Sequence, residues 1–374
     1  MRAAFYAPLK SPGHPAPSGD RTMARLLMKA LSRTGYTPEL ASELRTFEAR
    51  GDAAIQEDLR KASLAEAERL IRAYRARPAG ERPAVWFTYH VYYKAPDWLG
   101  PRVAQALGIP YVVAEGTRAG KRARGPYAVA HGGAEAALDA AAVILVPTRR
   151  DREALEQHRP PAQRLVDFPP FLDLDDWPDV PPRRTSQPPR LLAVGMMRTG
   201  DKLASYGQLA EALAFVANRP WSLDIVGSGE AADTVAALFA PFGERVRIHG
   251  QVDSRVTLAR LYAAADLMVW PAVNEAYGMA LLEAQAFGCP VLAGAHGGVA
   301  SVVRPGKTGI LTPPDDVPAF AAALDGLLAD SGQRETMGAA ARNFVRGERT
   351  LDHAAARLRE TLDAVVSETR PRGS

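Results

Sequence analysis

Glu275 and Glu283 stand eight positions apart in the run NEAYGMALLEAQAFGCPVLAG, which otherwise consists of apolar, small and neutral residues. A carboxylate near the first turn of a helix is an ordinary capping device, and that would account for Glu275. It does not account for Glu283, set between Leu281/Leu282 and Ala284/Ala286. A carboxylate in such surroundings needs O–H or N–H donors, and sugar hydroxyls supply them. Arg198 and Lys202 follow the apolar run LLAVG, four residues apart and ahead of a helical pattern. A planar fork and a mobile point charge in that position suit a diphosphate, although two solvated surface cations would read the same way. His90 closes AVWFTYH, where a strand-end histidine serves either structure or proton chemistry.

Other motifs weigh less. Gly227, Gly229 and Ala232 spell the dinucleotide fingerprint G-x-G-x-x-A. The acid expected at the end of the next strand is missing, since VRIHG ends in His249 and Gly250, and the strand LLAVG already precedes the motif. Nicotinamide chemistry is therefore disfavoured. Asp173-Leu-Asp175 is a formal D-x-D, but it sits in a linker rather than after a nucleotide-binding strand. Gly306-Lys307-Thr308-Gly309 lacks P-loop spacing and reads as a turn before the last strand. Cys289, the single cysteine, lies in an apolar run and reads as a buried inert thiol.

These residues need elements to hold them. Short apolar runs alternate with amphipathic helical patterns: RAAFYAP, AVWFTYH, PYVVAEG and AVILVPT in the first half, then LLAVG, SLDIVG, VRIHG, DLMVWP and PVLAG. Continuous apolar strands between helices imply parallel sheets covered on both faces. The 374 residues exceed one ordinary core. The expected architecture is α/β, with two doubly wound Rossmann-like domains facing across a cleft and ligands beyond the carboxyl ends of the strands. The domains fall at 1–172 and 191–350, with a Pro-rich linker at 173–190 and a C-terminal helix within 351–374 crossing back to the first domain. Charge is balanced, 46 Lys and Arg against 42 Asp and Glu, which favours anionic ligands mildly and gives no case for nucleic acid. No apolar stretch reaches membrane-spanning length, and the N-terminus lacks a signal-peptide core, so a cytoplasmic location is expected.

Four segments in order resemble a known family. GMMRTGDK, LDIVGSGE, the block from VRIHGQVD through NEAYGMALLEAQAFGCPVLAG, and GKTGILTPPDD are similar to glycosyltransferase family 4, whose retaining members carry an E-x7-E motif and the GT-B fold. The similarity runs over nearly the whole chain. It implies transfer of a hexose from a nucleotide-diphosphate sugar, UDP- or GDP-linked, with retention of configuration and without metal or other cofactor. Glu283 would bind the ribose, Glu275 would sit near the transferred sugar, and backbone N–H groups across Ala276, Tyr277, Gly278, Met279, Ala280, Leu281 and Leu282 would contact sugar and diphosphate. Gly227 would line the same site. Arg198 and Lys202 would neutralise the leaving diphosphate, Gly19 would let the first domain's loop close over it, and His90 would lie near the reacting carbon. Only Gly19 stands where many relatives have a glycine pair. The rival readings are a nucleotide-sugar epimerase, a phosphorylase (which would need a lysine for its pyridoxal cofactor) and an inactive nucleotide-sugar-binding module.

The acceptor side is less legible: a sugar, lipid-linked or polysaccharide acceptor is expected. Arg118, Lys121, Arg122, Arg124 and Tyr127 cluster after PYVVAEG and form either a basic rim for an anionic acceptor or a solvated loop. The rim reading includes peripheral membrane contact. Trp98, Tyr92 and Tyr93, near His90, either stack on a sugar or pack in the core.

Overall fold

A computed structural model describes residues 1–15, 18–181 and 187–369. The chain divides into two compact units, one of 1–169 together with the segment that begins at Leu351, the other of Pro170–Thr350.

The first unit holds one six-stranded parallel sheet. Its strands are β1 (Arg2–Tyr6), β2 (Thr37–Ser42), β3 (Pro83–Val91), β4 (Tyr111–Gly116), β5 (Val143–Val146) and β6 (Arg164–Asp167), in the order β2-β1-β3-β4-β5-β6. The central strands are buried along almost their whole length, as covering by helices on both faces requires. Helix α1 (Gly19–Arg33) starts at Ser18, whose hydroxyl accepts the Arg21 N–H at 3.2 Å, and buries Met23, Leu26, Leu27, Ala30 and Leu31. Helix α2 (Ala53–Ala76) is capped by Asp52. Helices α3 (Gly100–Leu107), α4 (Ala128–Ala140) and α5 (Arg149–Glu156) complete the alternation. The sequence places strands at β1, β3, β4 and β5 but not at the two edges, β2 and β6.

The second unit repeats the plan. Strands β7 (Arg190–Val194), β8 (Ser222–Val226), β9 (Val246–Ile248), β10 (Leu267–Trp270), β11 (Val291–Gly294) and β12 (Gly309–Thr312) form a parallel sheet in the order β12-β11-β10-β7-β8-β9. Helices α6 (Asp201–Phe215), α7 (Ala232–Phe239), α8 (Arg255–Ala264), α9 (Met279–Ala286), α10 (Val317–Ala329) and α11 (Ser331–Glu348) cover it. Helix α12 (Leu351–Thr369) packs on α1 of the first unit. Cys289 is fully buried, and burial pushes its thiol well above the ordinary range, as befits an inert side chain. Within the Pro-rich linker, Leu174–Asp176 form a 3-10 turn in which the Asp173 carboxylate accepts the Asp175 N–H at 3.2 Å, so the D-x-D acids shape a turn. Among the described residues no helix is long and apolar enough to cross a membrane.

Each sheet has one place where strand order reverses, and ligands bind such parallel sheets at the crevice outside it. In the first sheet it lies between β1 and β3, in the second between β7 and β10. Gly19 and Lys202 stand in the first turns of the helices that follow β1 and β7, His90 is near the end of β3, and Glu275 lies in the loop after β10.

Candidate functional site

In the second unit, Lys202 is the second residue of α6 and Glu275 sits in the loop after β10. Their side chains form an ion pair across the strand-order reversal, Nζ against Oε2. The same Oε2 accepts the Trp270 Nε1–H at 3.2 Å, and the ammonium lies 5.6 Å from the Trp270 ring centroid. The Glu275 side chain is 15% exposed. The partner of Glu275 in this structure is therefore Lys202, whereas the sequence suggests sugar hydroxyls for Glu275 and phosphate for Lys202. Sequence spacing could not show the pair because the two residues lie on different βα loops.

The loop that carries Glu275 is tied to the start of α6. Asn274 Nδ2 donates to Asp201 Oδ2 at 2.8 Å, and the Val273 N–H donates to Ser205 Oγ at 3.0 Å. Ala272 and Asn274 hold left-handed backbone, φ +62° and +48°, a strain that persists only where surroundings over-determine it and that gathers at functional sites. Gly278, at φ +78°, then turns the chain into α9. Helical geometry leaves the Met279 and Ala280 N–H groups without an acceptor inside the helix, and the helix dipole points positive there. Leu281 and Leu282 are buried, so they contribute core packing and only their backbone is available to a ligand. Ala276 and Tyr277 complete the loop, with the Ala276 carbonyl accepting the Gly298 N–H at 2.6 Å.

Glu283 is the fifth residue of α9, and its Oε2 accepts the Tyr262 hydroxyl at 2.8 Å. Burial raises its carboxyl to about 7; the Tyr262 hydrogen bond and the Arg255 charge only partly offset that. Tyr262 stacks nearly parallel on Phe287, and Trp177 packs edge-on against both rings. Arg255 lies over Trp177 and pairs with Asp176 at 2.9 Å. Glu283 thus has a hydroxyl partner from the protein itself.

Arg198 is exposed, and its charge bears on Glu230 of the β8–α7 loop. The structure does not join it to the Lys202–Glu275 pair by any ion pair. Gly227 and Gly229 have a packing reason to be glycine. A Cβ at Gly227 would run into the Gly195 carbonyl and one at Gly229 into the Met197 carbonyl, with φ +155° and +151°. The backbones of these two loops hydrogen-bond directly, Met197 N–H to Ser228 O at 2.8 Å and Ala231 N–H to Met197 O at 2.9 Å. The dinucleotide-like spelling records this close approach of two loops.

In the first unit, His90 is the next-to-last residue of β3 with φ +63°, and Glu115 holds the same place in β4 with the same φ. His90 Nδ1 is 3.0 Å from Asp20 Oδ1 in the first turn of α1 and 3.7 Å from Glu115 Oε1. Burial would lower the imidazole, but the charges of Glu115, Asp20 and Asp151 outweigh it and push His90 up to about 9. The Asp20 carboxyl is held below its ordinary value: burial opposes this, and the His90 hydrogen bond and charge prevail. Asp20, Glu115 and Asp151 were missed from sequence. Glu115 alone left a trace, as a charge closing an apolar strand. Gly19 faces open space, with nothing near the position of a Cβ.

The basic cluster after β4 needs correction. The Arg118 side chain is only 5% exposed and is neutralised by Glu135 and by Asp139, the latter at 2.6 Å, so it is no part of a basic rim. Trp98 likewise packs on Gly133 of α4. Tyr92 and Tyr93 stay with His90: rings His90–Tyr92 are 4.9 Å apart and Tyr92–Tyr93 5.6 Å.

Comparison with known proteins bears on the family and the fold. Residues 188–330 match the family model "Glycosyl transferases group 1". A D-inositol 3-phosphate glycosyltransferase of Kribbella flavida is 40% identical over 117 residues, 30% of this chain and 28% of the relative. Its counterpart in Xylanimonas cellulosilytica is 31% identical over 257 residues, 64% of this chain and 60% of the relative. The chain thus spans less than two thirds of the length of these curated relatives. Among solved structures, sucrose-phosphate synthase from Thermosynechococcus elongatus superimposes with a TM-score of 0.74 at 20% identity, covering 98% of this chain and all of that one. HepE of Anabaena, solved with UDP, gives 0.69 at 15% identity over 97% of this chain and all of its own. At such identities the likeness shows the fold, two Rossmann-like α/β units of the GT-B type.

Proposed function

We propose, from the match of residues 188–330 to the Glycosyl transferases group 1 family model, that the protein transfers a hexose from a nucleoside-diphosphate sugar to an acceptor hydroxyl with retention of configuration. One observation carries this reading: the Lys202–Glu275 pair lies at the strand-order reversal beside the N-terminus of α9. Cation and helix N-terminus together offer positive charge where a diphosphate gains negative charge as it departs.

The reaction breaks the bond between the anomeric carbon and the phosphate oxygen and forms one to the acceptor oxygen. The acceptor's proton passes to the departing phosphate. Lys202 and the Met279 and Ala280 N–H groups stabilise the leaving diphosphate, and exposed Arg198 adds charge from the preceding loop. Glu275 holds Lys202 until the donor arrives and then meets the transferred sugar. Glu283 accepts from ribose hydroxyls beside Tyr262. His90, kept cationic by Asp20 and Glu115, donates to a sugar oxygen and does not act as a base. The chemistry asks for no metal, because the protein's cations occupy that role. The donor class is a UDP- or GDP-linked hexose, and HepE, solved with UDP, supports the first. The acceptor is a sugar or lipid-linked or polysaccharide hydroxyl.

A panel of nucleotide sugars, assayed for binding and for slow donor hydrolysis, tests this. Glu275→Gln should retain nucleotide binding while turnover falls by about 100-fold or more. Lys202→Met should lose both, and the double variant should be no worse than Lys202→Met alone, because the two residues act as a unit. If no nucleotide sugar binds the parent protein, the proposal is wrong.

A further inference from the structure

Beyond His90 the aromatic run continues to a pair of rings that carries two cations. Tyr93 and Tyr127 meet edge to face, 5.0 Å between centroids. Lys94 Nζ lies 5.8 and 5.6 Å from these two centroids, and Arg122 Cζ lies 5.2 and 5.6 Å from the same two. Tyr127 is fixed in place by its hydroxyl, which donates to the Ala49 carbonyl.

Two like charges gathered on one ring pair repel each other, and an anion between them would offset that repulsion. Acids of the surrounding loops are committed elsewhere. The Glu48 carboxylate accepts the N–H groups of Arg50 and Gly51, both at 2.6 Å, and Gln56 Nε2 at 3.3 Å. Glu135 and Asp139 are taken by Arg118. Lys94 and Arg122 have no carboxylate partner among the described residues, and Arg122 Nε is buried with no hydrogen-bond acceptor. A buried guanidinium nitrogen without an acceptor is costly, and a ligand oxygen would remove the cost.

We propose that Lys94 and Arg122, seated on Tyr93 and Tyr127, bind a phosphoryl group carried by the acceptor. The inference rests on the transferase reading above. Two cations match a dianion better than a monovalent carboxylate, and the guanidinium fork with a mobile ammonium can engage its three oxygens together. The His90–Tyr92–Tyr93 faces between this site and His90 supply a surface on which a sugar ring rides. The acceptor is then a phosphorylated sugar or a lipid whose headgroup bears a phosphoryl group.

Calorimetry on the full chain decides it. The probes are inorganic phosphate, glucose 6-phosphate against glucose, and phosphatidylcholine vesicles with and without phosphatidic acid. Glucose 6-phosphate should bind at least about ten-fold more tightly than glucose. Lys94→Ala and Arg122→Ala should each weaken phosphate-dependent binding by about ten-fold, and Arg122→Lys less, with unchanged thermal midpoints showing that the variants fold. Binding to acidic vesicles alone, lost in the same variants, assigns the phosphoryl group to a lipid. Equal affinity for glucose and its phosphate with no preference for acidic vesicles overturns the proposal, as does binding indifferent to both substitutions. UDP-glucose and GDP-mannose binding by the parent protein is measured alongside. A protein that binds a nucleotide sugar but no phosphoryl probe keeps the transferase reading and loses this site; the reverse result does the opposite.

Discussion

Replacing Asp20 by Asn removes charge from one side of His90 without removing the side chain's bulk. Folding raises His90 from 6.5 to about 9. That rise corresponds to about 3 kcal/mol in favour of the imidazolium. Burial opposes it, so the carboxylates must together supply more than the net figure. Glu115 acts through charge at 3.7 Å, Asp20 through both charge and a hydrogen bond at 3.0 Å, and Asp151 through charge alone. Asp20→Asn removes both the charge and the charged hydrogen-bond partner on that side, so His90 should titrate about 1–2 pH units lower. Adding Glu115→Gln should leave burial dominant and carry His90 to or below its unperturbed value. The raised value also has a stability consequence. The contribution of His90 is fully present below about pH 6.5 and is lost as pH rises through about 9. The measurement is an NMR titration of the imidazole Hε1 signals, seven in the parent, with His90→Gln identifying the one in question. The pH–rate profile gives the functional sign. A cationic His90 predicts turnover that falls as pH passes about 9, with the falling limb moved to lower pH in Asp20→Asn; a general base predicts turnover rising through the same interval. A titration midpoint below 7 in the parent, or a midpoint unmoved by Asp20→Asn, would refute the reasoning.

Glu283→Gln should stabilise the protein at pH 8 and weaken nucleotide binding at the same time. The carboxyl is raised to about 7, so its favourable contribution is complete below about pH 4.5 and lost by pH 8, an interval worth up to about 3 kcal/mol or several degrees in thermal midpoint. The gap between variant and parent should close at pH 5; a variant less stable than the parent at pH 8 contradicts this. Gly227→Ala should lower the thermal midpoint by an amount equivalent to about 2 kcal/mol or more, because the Cβ meets the Gly195 carbonyl and φ is +155°. Gly19→Ala, which faces open space, should change stability by less than about 1 kcal/mol. Similar midpoints for the two alanine variants would remove the packing explanation for Gly227.

In the first sheet the strands legible in the sequence are the four inside its edges, while in the second the edge strand β9 was also legible, as VRIHG. β3, β4, β5 and β10 are covered on both faces, which forces continuous apolar runs such as AVWF and VILV. The strands without such runs, β2 (TPELAS) and β6 (RLVD), lie at the edges of the first sheet, where one side is unpaired and polar residues cost little. Pro38 in β2 tells the same story, since a proline is tolerated where the ladder has no neighbour to serve. Glu275 and Glu283 were legible because a carboxylate in an apolar run demands an explanation. Their partners were not, because Lys202 and Tyr262 come from other elements, 73 and 21 residues away in sequence.

Both units use one device. The first turn of the helix after the sheet's first strand meets the carboxyl end of the strand across the order reversal, or the loop leaving it, each contributing one charge. In the first unit these are Asp20 and His90, in the second Lys202 and Glu275. Strained backbone accompanies both, at His90 and Glu115 in one and at Ala272 and Asn274 in the other. Packing does not require such strain in non-glycine residues, and a stable fold could be built without it. A partly buried ion pair is also a weak source of stability, since its desolvation cost offsets much of its attraction. Strain and charge therefore coincide where neither is the economical structural choice. What they do achieve is orientation: each pair holds two side chains against each other at the carboxyl end of the sheet before any ligand arrives. Preorganised charge of this kind can stabilise a transition state without reorganisation at the moment of reaction, and the proposed transferase reading therefore treats Asp20 with His90, and Lys202 with Glu275, as single units.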